Sequence, residues 1–228
     1  MLKEKHIIDF FKGLTLPFCL SLIWYFSFYT NTTIWIYTAI HGSYGLFWCM
    51  KSYYFPDKQW EKEVTVIRLV GLIVGLSGYW LSPYLIIRYN REHTNHYLAV
   101  CTLLYASGVF YHFAGDMQKH VSLDLKPGHL IDSGLWRNSR NPNYFGEFLI
   151  YITFAALSYH WMSLGVLLSI IIIEWIPNMK KKDASLSRYE SFAKYKSNSN
   201  LFFPKNIMVS LYLLTIGSYF TAHFFKFI

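Results

Sequence analysis

The chain has 228 residues, of which 54% are hydrophobic and 20% aromatic, while only 15% are charged. A soluble domain usually carries about 25% charge, so the composition excludes an ordinary soluble globule and points to a membrane protein. The formal net charge of +8 would suit nucleic acid, but the placement of the cations along the chain argues against that partner.

The start, Met1 to His6, runs into an apolar segment without a small-residue cleavage pattern, so the first span is expected to act as the targeting signal. Crossing the hydrocarbon takes about 20 apolar residues. Stretches of that order fall near 14–30, 32–50, 65–87, 96–114, 144–160, 161–178 and 207–226, with a short break at His160-Trp161. The expected fold class is therefore all-α, a polytopic transmembrane bundle of about seven spans forming one domain over 1–228. Seventeen of the 21 Lys and Arg residues fall in the N-terminal segment and in 51–64, 115–143 and 179–206, against Arg88, Arg91 and Lys226 on the other side and Arg68 within a span. Such an asymmetry puts the first side, and the N-terminus, in the cytoplasm. The same reading expects endoplasmic reticulum in a eukaryote or the inner membrane in a bacterium. Cys19, Cys49 and Cys101 lie inside spans at no metal spacing and read as packing residues. Asn31-Thr32-Thr33 matches a glycosylation acceptor but sits almost at the membrane surface.

Two long polar segments break this pattern. One runs from Gly115 to Pro142 and includes the turn signal Lys126-Pro127-Gly128; the other runs from about Met179 to Lys205. Lying on one side and flanking the fifth and sixth spans, they are expected to form a basic cytoplasmic cap able to hold a dinucleotide. Between them stands the most informative stretch, Gly134-Leu135-Trp136-Arg137-Asn138-Ser139-Arg140-Asn141-Pro142-Asn143-Tyr144-Phe145-Gly146-Glu147. It feeds a cationic turn into a helix start, where free N–H groups and arginines can meet phosphate. Asn143 and Glu147 are four apart and share one helical face. An Asn amide can meet both the acceptor and the donors of a nicotinamide carboxamide, and a carboxylate can accept from its NH₂. A first-turn acid behind a capping amide is the plainer alternative.

This stretch resembles the signature of the steroid 5-alpha-reductase and sterol reductase family; a looser form of it occurs in the isoprenylcysteine carboxyl methyltransferases. The resemblance runs from about Ala106 to Pro204, the expected cofactor-binding half (about 106–205). It implies an NADPH-dependent membrane oxidoreductase that passes hydride to an activated C=C bond of a steroid-like or related lipid taken from the bilayer. By the same resemblance, Asp116 and Lys119 of Asp116-Met117-Gln118-Lys119 become candidate ribose and phosphate contacts, and Trp136 a ring to stack on the cofactor. Arg140, Asn143, Tyr144 and Glu147 follow from the signature itself. Tyr189 and Tyr195 follow from the C-terminal region that closes at Phe203-Pro204, although here Lys180, Lys181, Lys182 and Asp183 stand where the sterol reductases place an Arg and acidic residues.

The substrate end must come from the early spans. His41 and Tyr44 are three apart on one face, and a phenol can donate to a developing enolate oxygen. The steroid reductases pair such a Tyr with an early-span Glu, yet this chain has no Glu between Lys5 and Glu61. Either His41 replaces that acid, or His41 and Tyr44 simply pack and hydrogen-bond inside the bundle. Arg68 and Glu174 can pair with each other, with lipid headgroups or with cofactor. Two rival readings remain: an S-adenosylmethionine-dependent methyltransferase of a prenylated or phospholipid acceptor, and a non-catalytic lipid-binding protein on the same scaffold.

Overall fold

The computed structural model describes residues 2–225. Helix makes up 77% of the chain, and no strand occurs among the described residues. Apart from helices there are two isolated bridges, Lys3 with Glu63 and Ser139 with Asn200.

The helices follow from local signals. Helices α1 (Glu4–Gly13) and α2 (Thr15–Phe26) form one rod with a break at Leu14, and Ser27 ends it in the left-handed region at φ 59°. Asn31 caps α3 (Thr32–Tyr54) by accepting from the Ile34 N–H. That amide also donates to Asn90 Oδ1 and the Arg91 carbonyl, so the glycosylation acceptor is a buried structural cap. Thr65 caps α4 (Val66–Tyr79), which continues through Trp80 into α5 (Leu81–Arg88). Helix α6 (Asn95–Val109) passes through a π-helical turn, Phe110–Ala114, into α7 (Gly115–Leu125). Pro142 starts α8 (Pro142–Ser158), as its missing N–H and fixed φ favour. Tyr159, left-handed at φ 47°, ends it, and His160 caps α9 (Trp161–Ile170) through the Met162 N–H, which accounts for the expected break. A second π turn, Ile171–Trp175, leads into α10 (Ile176–Leu186), followed by α11 (Phe192–Asn198) and α12 (Ile207–Phe225).

Four helical runs are long and apolar enough to cross a membrane: Glu4–Phe26, Val66–Arg88, Asn95–Leu125 and Trp161–Leu186. The expectation of seven is met by hydropathy only in these four. Helix α3 is 23 residues long but carries His41, Ser43 and Lys51, while α8 has 17 residues and α12 is shorter in its apolar part. Both α3 and α8 lie inward, where polar side chains find protein partners, and this lowers their hydropathy. The last basic residue of the expected outer side, Lys226, lies outside the described residues.

Helix α8 packs most closely on α6 and its π turn. In a membrane, close helix contact comes from small residues that let backbones approach. A Cβ on Gly146 would lie 2.3 Å from the His112 nitrogen and 2.6 Å from the Gly108 carbonyl oxygen. The glycine of the signature thus brings two helices together. Cys19 and Cys101 are free, fully buried packing thiols.

The polar segments gather at one end. Lys3 and Lys5 pair with Glu61, Lys119 with Asp57, and Arg140 with Asp183. The segments around Asn31, Asn90 and Arg91 meet at the other, where His93 also bonds the Leu157 carbonyl. Lys12 and Lys51, counted among the flanking cations of the first end, are buried inside the bundle.

Candidate active site

A cavity of about 180 Å³ opens among α1, α3, α4, the first π turn, α8 and the second π turn. Roughly 150 Å³ suffices to hold a benzene ring, so a ring-sized group fits. Asn143, Glu147 and Tyr151 line it from α8, four residues apart on one face. Lys12, Trp48, Lys51, Asp57, Arg68, Tyr79, His112, Asp116, Tyr144 and Glu174 also contribute.

At its centre is a buried network. Lys12 Nζ donates to Tyr44 Oη at 2.8 Å and to Tyr151 Oη at 3.3 Å. Both phenols donate to Glu147 Oε1 at 2.9 Å, and Lys12 Nζ lies 3.5 Å from the same oxygen. The ammonium also sits 3.4 Å above the Trp48 ring. Replacing a buried ion pair by packed apolar groups is often neutral or stabilising, so this pair is weak support for a stability role. An ionisable pair among spanning helices is a functional candidate.

Toward the charged end the network continues. Lys51 meets Asp116 at 2.5 Å and Asp57 at 2.9 Å, and Lys119 donates to Asp57 at 2.7 Å. Burial pushes the Asp57 carboxyl up, but Lys51 and Lys119 outweigh it and hold the group below the usual carboxylate range. Asn143 gives its Nδ2 to Asp116 Oδ1 at 2.9 Å, leaving its Oδ1 buried without a partner. His112 Nδ1 faces the Asn143 carbonyl oxygen at 3.1 Å, so Nδ1 carries a hydrogen and a neutral ring presents Nε2 as an acceptor. That Nε2 is also buried without a partner. Two open acceptors in one cavity are unusual in a folded protein and suit a ligand donor.

The structure sorts the residues expected from sequence into three groups. Asp116, Asn143, Tyr144 and Glu147 line the cavity together, and Lys119 stands beside it through Asp57. Tyr44 joins the network, but its fully enclosed ring does not line the cavity; it reaches it only through Lys12 and Glu147. The others are elsewhere. His41 is fully buried and outside the cavity lining, bonded through Nδ1 to Tyr37 Oη at 2.9 Å and stacked on Phe154 with ring centroids 3.9 Å apart, while its Nε2 is buried without a partner. Arg140 is buried with its guanidinium on Asp183 and the Ser199 carbonyl, and it does not line the cavity. Trp136 is buried, donates to the Gly115 carbonyl and has Lys182 Nζ 3.9 Å over its ring, so its stacking face is taken. Tyr195 donates to the Trp136 carbonyl at 2.7 Å, and burial pushes its phenol pKa up, keeping it a neutral donor. Tyr189 contacts the neighbouring Arg188 and is not part of the lining. Arg68 and Glu174 do pair, at 3.3 Å, on the cavity wall, where Arg68 also meets Glu4.

A phenol–carboxylate hydrogen bond forms across the fold, between Tyr44 on α3 and Glu147 on α8. Lys12, Tyr151, Lys51 and His112 were not singled out by sequence. Tyr151 continues the four-residue spacing of Asn143 and Glu147, which would have found it. His112 sits on a π turn, a geometry common at functional sites and without a clear sequence mark.

Residues 48–199 match the family described as "Protein of unknown function (DUF1295)". The chain belongs to this family. The family lies in the superfamily of the steroid 5-alpha-reductases and isoprenylcysteine carboxyl methyltransferases. No curated protein matches the chain. The matched region holds Lys51, His112, Asn143, Glu147 and Tyr151, whereas Lys12 and Tyr44 precede it.

Proposed function

We propose that this DUF1295 member is an NADPH-dependent membrane reductase, acting on an activated C=C bond of a lipid, with a steroid-like 3-oxo compound as one such substrate. The observation that carries the reading is the cavity face of α8, where Asn143 offers an unpartnered Oδ1 one turn from Glu147 and two turns from Tyr151. Asn143 Oδ1 and Glu147 would accept hydrogen bonds from a nicotinamide carboxamide, and His112 Nε2 is a further acceptor. Lys119, a third exposed beside Asp57, is the cation best placed for a phosphate, since Arg140 is engaged elsewhere. A bound reduced nicotinamide supplies the hydride. Tyr151 holds a proton at Oη against Glu147 Oε1 and offers it to the product carbon. Tyr44 positions Lys12 and Glu147.

The methyltransferase reading fits less well. A sulfonium needs a carboxylate with charge to share, and the Lys12 ammonium 3.5 Å from Glu147 already neutralises it. In membrane terms, we propose seven spans with the N-terminus and a cofactor-binding cap on the cytoplasmic side, supported by the clustering of the basic segments at one end. The test of function is titration of the purified protein with NADPH and with S-adenosylmethionine, read as thermal stabilisation. NADPH should stabilise it; stabilisation by S-adenosylmethionine alone overturns the reading.

A further inference from the structure

We propose that Gly71 and Gly75 of α4 hold open a window through which a bilayer lipid puts its reacting end into the cavity while its hydrocarbon stays outside. Resting on the reductase reading, this makes the two glycines the positions that select the shape of the substrate.

The window lies between two runs that are each long and apolar enough to span a membrane, Val66–Arg88 and Trp161–Leu186. The runs touch at either end of it. At the charged end Arg68 Nη1 meets Glu174 Oε1 at 3.3 Å, and further along a Cβ on Gly78 would lie 3.4 Å from Val166 Cγ1. Arg68 and Gly78 stand roughly 15 Å apart along α4, from the helical rise per residue. Between these contacts are Gly71 and Gly75, one turn apart on one face. Both line the cavity, and both are exposed on the outside of the bundle. A Cβ at either would meet nothing within 4 Å. Ile170 and Trp175 line the cavity from the other run.

Small residues in spanning helices ordinarily let backbones touch. Gly45, Gly108 and Gly146 do so here, with added Cβ atoms 2.1, 2.7 and 2.3 Å from backbone atoms of another helical segment. Gly71 and Gly75 serve no such contact, so their missing side chains leave open space. Their exposed neighbours Val70 and Val74, and Ile172 and Ile173 on the other run, are all apolar, which puts hydrocarbon rather than water against the opening.

Behind the opening the cavity is polar, with two acceptors open. His112, 2% exposed, lines it with Nε2 unpartnered, and Asn143 Oδ1 is unpartnered in the same cavity. A ligand donor satisfies such a group. Size then decides how a lipid is held. About 180 Å³ takes a ring-sized group, and a lipid enclosed whole needs several times that space. A lipid that reaches His112 must leave most of itself elsewhere, and the apolar opening beside α4 is where it lies. Side-chain bulk at 71 or 75 closes that exit without touching Asn143, Glu147 or Lys119.

The test uses hexadecanol carrying a diazirine beside its hydroxyl carbon, in phosphatidylcholine vesicles holding the full-length protein. The hydroxyl can donate to His112 Nε2, and the chain suits an apolar exit. After irradiation and peptide mapping, the wild type should carry label on Glu147 or Tyr151. Gly71→Leu and Gly75→Leu should each lower that label about tenfold or more, as forcing bulk into a filled space does. Leu is the better helix former, so both variants should melt no lower than the wild type. Both should also bind NADPH as the wild type does, which shows the cavity intact. Gly217→Leu, on α12 and with nothing within 4 Å of its Cβ, should label like the wild type. Label confined to lipid-facing residues, or undiminished cavity label in both Leu variants, overturns the window. NADPH titration of the same samples separates the two claims. NADPH binding without cavity label removes the window and leaves the reductase reading; cavity label without NADPH binding keeps the window and removes the reductase reading.

Discussion

At the residue scale, the difference between Arg140 and Glu147 shows what decides a role. Both are buried and both belong to the signature, yet Arg140 turns to Asp183 while Glu147 faces the cavity. Sequence shows a cation before a helix start but not the carboxylate 43 positions on that takes it. Arg140→Met should therefore act on stability rather than selectively on cofactor. Breaking a buried pair costs roughly 3–5 kcal/mol, and Arg140→Met/Asp183→Leu should recover much of it. Thermal melts in detergent check this; an Arg140→Met protein that melts like the parent while losing NADPH would restore the phosphate role. Asp57 gives a pH prediction. Its folded pKa is depressed by Lys51 and Lys119, so its contribution is fully present above the unfolded value of about 3.9 and is lost as pH falls toward the folded value. Asp57→Asn should be less stable at neutral pH and show a flatter acid limb. An unchanged acid limb would exclude the group.

Among elements, the helices that build the site were legible in part. The i, i+4 spacing of Asn143 and Glu147 and the Pro142 start were readable because both are local properties of one helix. Lys12 was not, because its inward position depends on Gly45, a residue of another helix reached only in the fold. The phenol–carboxylate pair likewise joins positions 103 apart, beyond any motif. His41 shows the same limit: helical spacing from Tyr44 gives a shared face but not which residue that face meets, and Phe154 meets His41. The α6–α8 crossing supplies the prediction at this scale. Gly146→Ala must push a methyl into backbone atoms at 2.3 and 2.6 Å, so it should destabilise by about 1–3 kcal/mol. Gly165→Ala on α9 meets nothing within 4 Å and should be neutral or stabilising by up to about 1 kcal/mol. Equal melting temperatures for the two variants would contradict the crossing.

For the whole molecule, one end gathers the basic segments and the other the Asn31, Asn90 and Arg91 contacts, with the cavity reaching inward from the first. The proposed orientation puts that first end in the cytoplasm. Single cysteines near residues 125 and 190 should then both be labelled from the cytoplasmic side, and labelling from opposite sides would overturn it. The central claim is that the α8 face binds a nicotinamide dinucleotide, and calorimetric titration of NADPH into the purified wild type, Asn143→Ala and Glu147→Gln proteins tests it most directly. The wild type should bind and each variant should bind about tenfold or more weakly, from loss of a hydrogen bond worth roughly 1.5–3 kcal/mol. Equal NADPH affinity in all three, or no binding to the wild type beside tight binding of S-adenosylmethionine, would contradict it.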